Sequence, residues 1–247
     1  MNTLERSARE TGVSTDVQDR LAVALDVPDR RAALELVDRL DGACRWLKVG
    51  MELYYAVGNE LIETLRGRGY RIFLDLKLHD IPNTVAGAVR SVTGTGAELL
   101  TVHASGGPAM LRAAAEAAQA NGAPRLLAVT VLTSMDAAEL NAAGVQGTAA
   151  EQVLRLAKLA KSSGIDGMVC SPEEVTAVRS ATGPETILVV PGVRPAGSAS
   201  DDQRRVATPA EAISRGASIL VVGRPITRAV DPAKAARAIL AKMGQVV

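Results

Sequence analysis

The stretch LAVALDVPD at residues 21–29 decides between two architectures. Leu21 to Leu25 are all apolar and read as a buried strand. The chain then turns through Asp26-Val27-Pro28 into a helical pattern over 29–41, with no glycine in between. A doubly wound open sheet usually carries a glycine-rich phosphate turn at this point. Seven more short apolar runs follow, at 45–49, 71–76, 98–102, 126–131, 165–170, 187–190 and 218–222. Segments rich in Ala, Leu, Glu and Arg lie between them, such as 58–68, 108–120, 148–163, 172–180 and 231–243. Alternating helices and near-continuously apolar strands mean a parallel sheet covered by helices. Eight such units in about 230 residues predict an α/β fold, a closed (β/α)8 TIM barrel. One domain is expected over residues 20–247, with residues 1–19 as an N-terminal extension. The fifth unit is longer than the others, with an extra segment at 133–148 (TSMDAAELNAAGVQGT). On a βα loop, that segment would sit at the active-site face.

Composition narrows the function. The 247 residues are 47% hydrophobic and 22% charged, a normal globular balance. Lys and Arg number 28 against 27 Asp and Glu, so no charge asymmetry advertises a nucleic-acid or acidic-membrane partner. No stretch reaches the ~18 apolar residues of a membrane span. The first 20 residues are polar and lack a signal peptide's apolar stretch, so a cytoplasmic location is expected. Cys44 and Cys170 alone make neither a disulfide framework nor a zinc site, and read as buried reduced thiols.

The polar residues fall at the strand ends. Asp26 ends the first strand, Lys48 lies in the second before Gly50, and Asp75 and Lys77 lie in the third with Asp80 just beyond. His103, Thr133-Ser134 and Ser171 end the next three, Pro191-Gly192-Val193-Arg194 follows the seventh, and Gly223-Arg224 ends the eighth. In a barrel these ends form one rim, where active sites lie. Side-chain alternation sharpens the pattern. Ile72, Leu74 and Leu76 share the face that packs on helices, which turns Phe73, Asp75 and Lys77 inward. Lys48 opposes Leu47 and Val49, and Asp26 opposes Leu21, Val23 and Leu25.

Two carboxylates beside a lysine hold it as an extended ammonium. A fixed ammonium stabilises a carbanion and can deliver a proton to carbon, while a neighbouring carboxylate repels an anionic substrate group. The arrangement suits loss of an anionic group such as carboxylate, followed by protonation. His79 and His103 read first as hydrogen-bonded structural residues, and neither finds metal ligands at a convincing spacing. The loop from Pro191 to Val206, PGVRPAGSASDDQRRV, is long enough to close as a lid. With Gly223 and Arg224 it suggests the phosphate site that barrels commonly build after strands 7 and 8.

The residues from Phe73 to Thr84, FLDLKLHDIPNT, resemble the signature of the orotidine 5′-phosphate decarboxylase family. So do Ala24-Leu25-Asp26, Lys48-Val49-Gly50, Val131-Leu132-Thr133-Ser134, Pro191 to Pro195 with Asp202-Gln203, and Val222 to Pro225. The similarity runs in order from about residue 20 to 235, and the 191–206 loop resembles the bacterial form. It implies conversion of orotidine 5′-monophosphate to UMP and CO2, the last step of de novo pyrimidine synthesis, with no metal and no organic cofactor. It implies Lys77 as proton donor to C6, with Asp75, Asp80 and Lys48 as its charged catalytic partners. Lys48 and Asp75 also count among the substrate contacts. Asp26 corresponds to the ribose ligand, and Thr133 or Ser134 to the pyrimidine contact. Arg194, Gln203, Gly223 and Arg224 correspond to the phosphate grip, and Pro191 counts among the substrate contacts. It further implies a homodimer in which Asp80, Ile81 and Thr84 reach the partner subunit's site. Two other readings stand beside it. Metal-dependent sugar-phosphate decarboxylases and synthases on the same barrel share Asp-x-Lys-x-x-Asp but carry an acidic metal ligand where this chain has Lys48. A nucleotide-binding barrel without activity is opposed by the intact Asp75, Lys77 and Asp80.

Overall fold

Every one of the eight apolar runs forms a strand: Leu21–Leu25 (β1), Trp46–Gly50 (β2), Arg71–Leu78 (β3), Ala97–His103 (β4), Arg125–Val129 (β5), Gly167–Val169 (β6), Ile187–Val190 (β7) and Ile219–Val222 (β8). The computed structural model describes residues 16–194 and 207–244. The strands pair in chain order, all parallel, and β8 closes on β1 through Leu21–Leu220, Ala22–Val221 and Val23–Val222. This is the predicted TIM barrel.

The helices are Arg30–Leu40 (α1), Met51–Val57 (α2), Asn59–Gly67 (α3), Pro82–Val92 (α4), Gly107–Ala117 (α5), Ala137–Ala142 (α6), Ala149–Ser162 (α7), Val175–Thr182 (α8), Pro209–Ser214 (α9), Arg224–Thr227 (α10) and Pro232–Gly244 (α11). Local chemistry sets their ends. Asp29 caps α1 by accepting from the Ala32 N–H at 2.8 Å. Asp136, Thr148 and Thr208 each form a reciprocal capping box with the glutamate three residues on. α1 buries Ala33, Leu36, Val37 and Leu40, a stripe at helical spacing that covers the barrel. The pattern expected from residue 172 starts later, at Val175. Residues 171–174 form a turn instead, in which the Ser171 N–H and hydroxyl both donate to the Glu174 carboxylate. The extra segment at 133–148 carries the short helix α6.

Alternation along each strand separates two cores. Leu21, Val23, Leu25, Leu47, Val49, Ile72 and Leu74 face outward into the shell under the helices. Ala22, Ala24, Trp46, Phe73, Leu99 and Leu127 fill the barrel interior, with the branched residues of β7 and β8. The parity read from the sequence therefore holds on β1, β2 and β3. Small and large residues are matched inside: Ala22 pairs in register with Trp46, and Ala24 with Lys48, which in turn pairs with Phe73. The two alanines leave room for the chain's one tryptophan and one phenylalanine. Cys44 and Cys170 are free and buried, and burial pushes the Cys44 thiol up to about 12.

The N-terminal end of the barrel is closed by charge. A 3-10 turn at Val17–Arg20, capped by Asp16, lies across it. Asp19 pairs with Arg45 at 3.4 Å and Arg71 at 3.5 Å, and Arg71 also pairs with Glu98 at 2.7 Å. The Arg71 guanidinium lies 4.1 Å from the centroid of the Trp46 ring, a cation–π contact. Arg20 donates to the Ala217 and Ser218 carbonyls at 2.6 and 3.4 Å. This end is built for stability and leaves the opposite mouth for chemistry.

Phe73 is 2% exposed at the centre of the inner core. Phe73→Ala should lower the unfolding free energy by about 3–5 kcal/mol in denaturant titration. A loss under about 1 kcal/mol would mean the interior is not the packed plug described.

Candidate active site

At the C-terminal mouth of the barrel is a cavity of about 350 Å³. Its floor is the top of the inner core, including Phe73, Val129, Val169, Val189 and Val221. Asp26, Lys48, Asp75 and Lys77 line it from β1 to β3, and Thr133 and Ser134 from the segment after β5. Pro191, Arg194, Gly223 and Arg224 line it from the ends of β7 and β8. Ten residues singled out from sequence thus meet around one space, though they span almost the whole chain.

The ionic groups form a line of alternating sign. Lys48 Nζ lies 3.0 Å from Asp26 Oδ1 and 3.8 Å from Asp75 Oδ2. Lys77 Nζ lies 2.8 Å from the same Asp75 oxygen. The order is Asp26, Lys48, Asp75, Lys77. The Lys48 side chain is only 10% exposed and that of Asp75 16%, so this pair is shielded from solvent and salt far more than a surface pair, while Asp26 at the outer end of the line is 62% exposed. Gly50 keeps this corner open: a Cβ there would come within 3.1 Å of Lys48 Nζ.

The backbone of β3 is deformed to present Lys77. Leu74 pairs with Leu100 and Leu78 with Val102, so residues 75–77 of β3 stand opposite Thr101 alone. This is a bulge, the usual device for re-aiming a side chain beside a site. Lys77 takes a left-handed φ of 49°. For a non-glycine residue that costs about 1 kcal/mol. Thr101 fills the bulge. Its hydroxyl accepts from the Lys77 backbone N–H at 2.8 Å and donates to Asp75 Oδ1 at 3.1 Å.

Asp80, Ile81 and Thr84 are placed differently. All three are exposed and none lines the cavity of its own chain, where Asp80 Oδ1 accepts from the Ile81 N–H at 2.6 Å. Asp75, and not Asp80, is the carboxylate on Lys77 within the chain. His79 and His103 stack with ring centroids 5.3 Å apart beside this turn, outside the cavity lining. Burial first, then the fields of His79 and Lys77, pulls His103 below the usual imidazole range and favours its neutral form.

On the far side, the Arg194 side chain donates to the Val193 carbonyl at 3.0 Å, and its backbone N–H donates to the Ala207 carbonyl at 3.0 Å. A bridge between Val193 and Ala207 ties the two ends of the loop together at the cavity edge. Gln203 and most of the 191–206 loop expected to act as a lid lie outside the described residues. Sequence reasoning did not single out Thr101; it named Leu132 only within the 131–134 motif and Cys170 only as a buried thiol, and both of these line the cavity. Thr101 carried a signal: it has the inward parity of Leu99 and is the polar residue on that face two positions before His103, whereas Glu98 has the opposite parity.

Comparison with known proteins places this geometry. Residues 19–239 match the profile of the orotidine 5′-phosphate decarboxylase / HUMPS family. The orotidine 5′-phosphate decarboxylase of Moorella thermoacetica is 53% identical over 236 residues, 93% of this chain and 94% of that protein. That of Halorhodospira halophila is 55% identical over 225 residues, 91% of this chain and 95% of that protein. A crystal structure of orotidine 5′-phosphate decarboxylase from Lactobacillus acidophilus superposes with a TM-score of 0.80 at 42% identity, covering 91% of this chain and 99% of that one. The chain belongs to the orotidine 5′-phosphate decarboxylase / HUMPS family.

Proposed function

We propose that the protein decarboxylates orotidine 5′-monophosphate to UMP and CO2 in pyrimidine biosynthesis, with its own charged side chains as the catalyst. One observation carries this reading: the Asp26–Lys48–Asp75–Lys77 line at the cavity wall. In the reaction the bond between C6 and the carboxylate breaks, CO2 leaves, and the electron pair stays on C6. The pyrimidine ring offers no orbital to delocalise that pair, so stabilisation has to come from fixed charge. Lys77 supplies it and then transfers an ammonium proton to C6, to be reprotonated from water. Asp75 holds the Lys77 ammonium in place before substrate arrives and faces the carboxylate that leaves. Lys48 offsets the carboxylates on either side of it.

The remaining roles follow the cavity. Asp26 binds the ribose hydroxyls, and Thr133 or Ser134 binds the pyrimidine. Arg194, Gly223 and Arg224 hold the phosphate, with Gln203 joining from the loop and Pro191 forming part of the cavity wall beside them. Phosphate binding at a distance from C6 contributes remote binding energy to the chemical step. The metal-dependent sugar-phosphate reading is not favoured. It needs an acidic ligand at position 48, and here the Lys48 ammonium already stands between Asp26 and Asp75.

The working unit in this proposal is a homodimer. Asp80, Ile81 and Thr84 project from the mouth edge, with Ile81 66% exposed. Beside α2 a second opening, lined by Met51 and Glu52, reaches Asp26, Lys48, Asp75 and Lys77. A partner's 80–84 segment entering there adds a second carboxylate to Lys77. Tyr55 on the same helix is 73% exposed, apolar surface suited to burial in such a contact. No helix among the described residues is long and apolar enough to cross a membrane. A cytoplasmic location fits the two free thiols.

Lys77→Ala should lower kcat for orotidine 5′-monophosphate by at least about 10²-fold while UMP affinity changes far less. Near-normal turnover would remove Lys77 from the mechanism. The shared site has its own test. Lys77→Ala and Asp80→Asn are each expected to be inactive, and random subunit exchange between them should restore about a quarter of wild-type activity, since half the dimers carry one intact site. No recovery after exchange shown by mass spectrometry would place Asp80 outside the partner's site.

A further inference from the structure

We propose that Thr101 is a positioning residue for the decarboxylation, setting Lys77 and Asp75 through one hydroxyl; this rests on the function proposed above. Thr101 is fully buried and does not line the cavity, so it acts through other residues. Three facts converge on it. The bulge sets residues 75–77 opposite Thr101 alone, so the Lys77 N–H is directed at a side chain in place of a ladder carbonyl. Lys77 has a left-handed φ of 49°, a conformation that persists only where surroundings enforce it. The same hydroxyl that accepts from the Lys77 N–H donates to Asp75 Oδ1, leaving Oδ2 for Lys77 Nζ.

The consequence is geometric. The hydroxyl's single proton goes to Asp75, which orients its oxygen lone pairs toward the Lys77 N–H. Asp75 Oδ1 is fixed by Thr101 and Oδ2 by Lys77, so the carboxylate plane has little freedom to rotate. Lys77 is held at its backbone by Thr101 and at its ammonium by Asp75. Threonine closes a ring that ties strand β4 to both charged groups of β3. A methyl in place of the hydroxyl would leave the Lys77 N–H without its acceptor, allow the bulge to relax and release the carboxylate.

The test compares Thr101→Val, which keeps shape and removes the hydroxyl, with Thr101→Ser, which keeps the hydroxyl. Steady-state kinetics are measured for each with orotidine 5′-monophosphate, and hydrogen exchange of the Lys77 amide by NMR on the full-length protein. Thr101→Val should lose about ten- to a hundredfold in kcat with KM changed less than about threefold, and its Lys77 amide should exchange much faster. Thr101→Ser should stay within about threefold of wild type in both. Wild-type kcat in Thr101→Val, or an equal loss in Thr101→Ser, would overturn the proposal. If Thr101→Val does not fold, the wild-type amide decides: strong protection at Lys77, retained in Thr101→Ser, supports the hydroxyl's role, and exchange at the rate of an exposed loop refutes it. The exchange result stands whether or not the wild type acts on orotidine 5′-monophosphate. Failure of the proposed function would therefore be seen separately, as absence of wild-type turnover.

Discussion

The Asp75 carboxylate is the group on which the mouth of the barrel depends. It is nearly buried, and such a charge persists only if its partners replace the water it has lost. Those partners are the Lys77 ammonium, the Thr101 hydroxyl and, at 3.8 Å, the Lys48 ammonium. Lys48 in turn depends on Asp26. Removing one member leaves a neighbour with uncompensated charge, which is typically worse than never having built the pair. The line is thus an arrangement in which the shielded charges of Lys48 and Asp75 are tolerable only because of their neighbours. That cost, together with the left-handed backbone of Lys77, is borne by the fold before substrate binds. A cluster ordered in advance need not reorganise when negative charge develops at carbon, which is how fixed electrostatics accelerates a reaction.

The fold separates the parts that carry this cost from the parts that meet it. The outer shell of aliphatic residues, the inner plug around Trp46 and Phe73, and the ionic closure by Asp19, Arg71 and Glu98 all lie away from the mouth or beneath it. The C-terminal end is free to hold polar groups that would be unfavourable in a core. The cavity-lining residues that follow β7 and β8 and the charged residues of β1 to β3 are distant in sequence, but they are neighbours because β8 closes on β1. A closed barrel brings these two groups of residues together around one cavity.

Much of this was legible in the sequence, because period-two alternation is a strong constraint. Leu21, Val23, Leu25, Leu47, Val49, Ile72 and Leu74 all pack outside the barrel, so the inward direction of Lys48, Asp75 and Lys77 followed from counting residues. What alternation could not reveal is where the register breaks. The bulge at 75–77 arises from pairing with β4, a contact between segments far apart in the chain, and Thr101 matters only because of it. Helices α2 and α4 escaped the periodicity reading for another reason. α2 follows β2 with no connecting loop, and α4 starts at Pro82, inside a stretch read for its polar residues. The flanking of Lys77 by two acids in sequence was also misleading within one chain, since the backbone turns after Leu78 and carries Asp80 out to the surface.

The central claim is that this built-in line of charge, with Lys48 as its inner cation, performs the decarboxylation unaided. Turnover of orotidine 5′-monophosphate by protein stripped with EDTA, followed by ultraviolet absorbance, tests it most directly. The account predicts conversion to UMP at the same rate before and after chelation, and no gain on adding magnesium. Activity that vanished with EDTA and returned with magnesium would contradict it, and would mean that the Lys77 ammonium, with Lys48 offsetting the carboxylates beside it, does not suffice for the reaction.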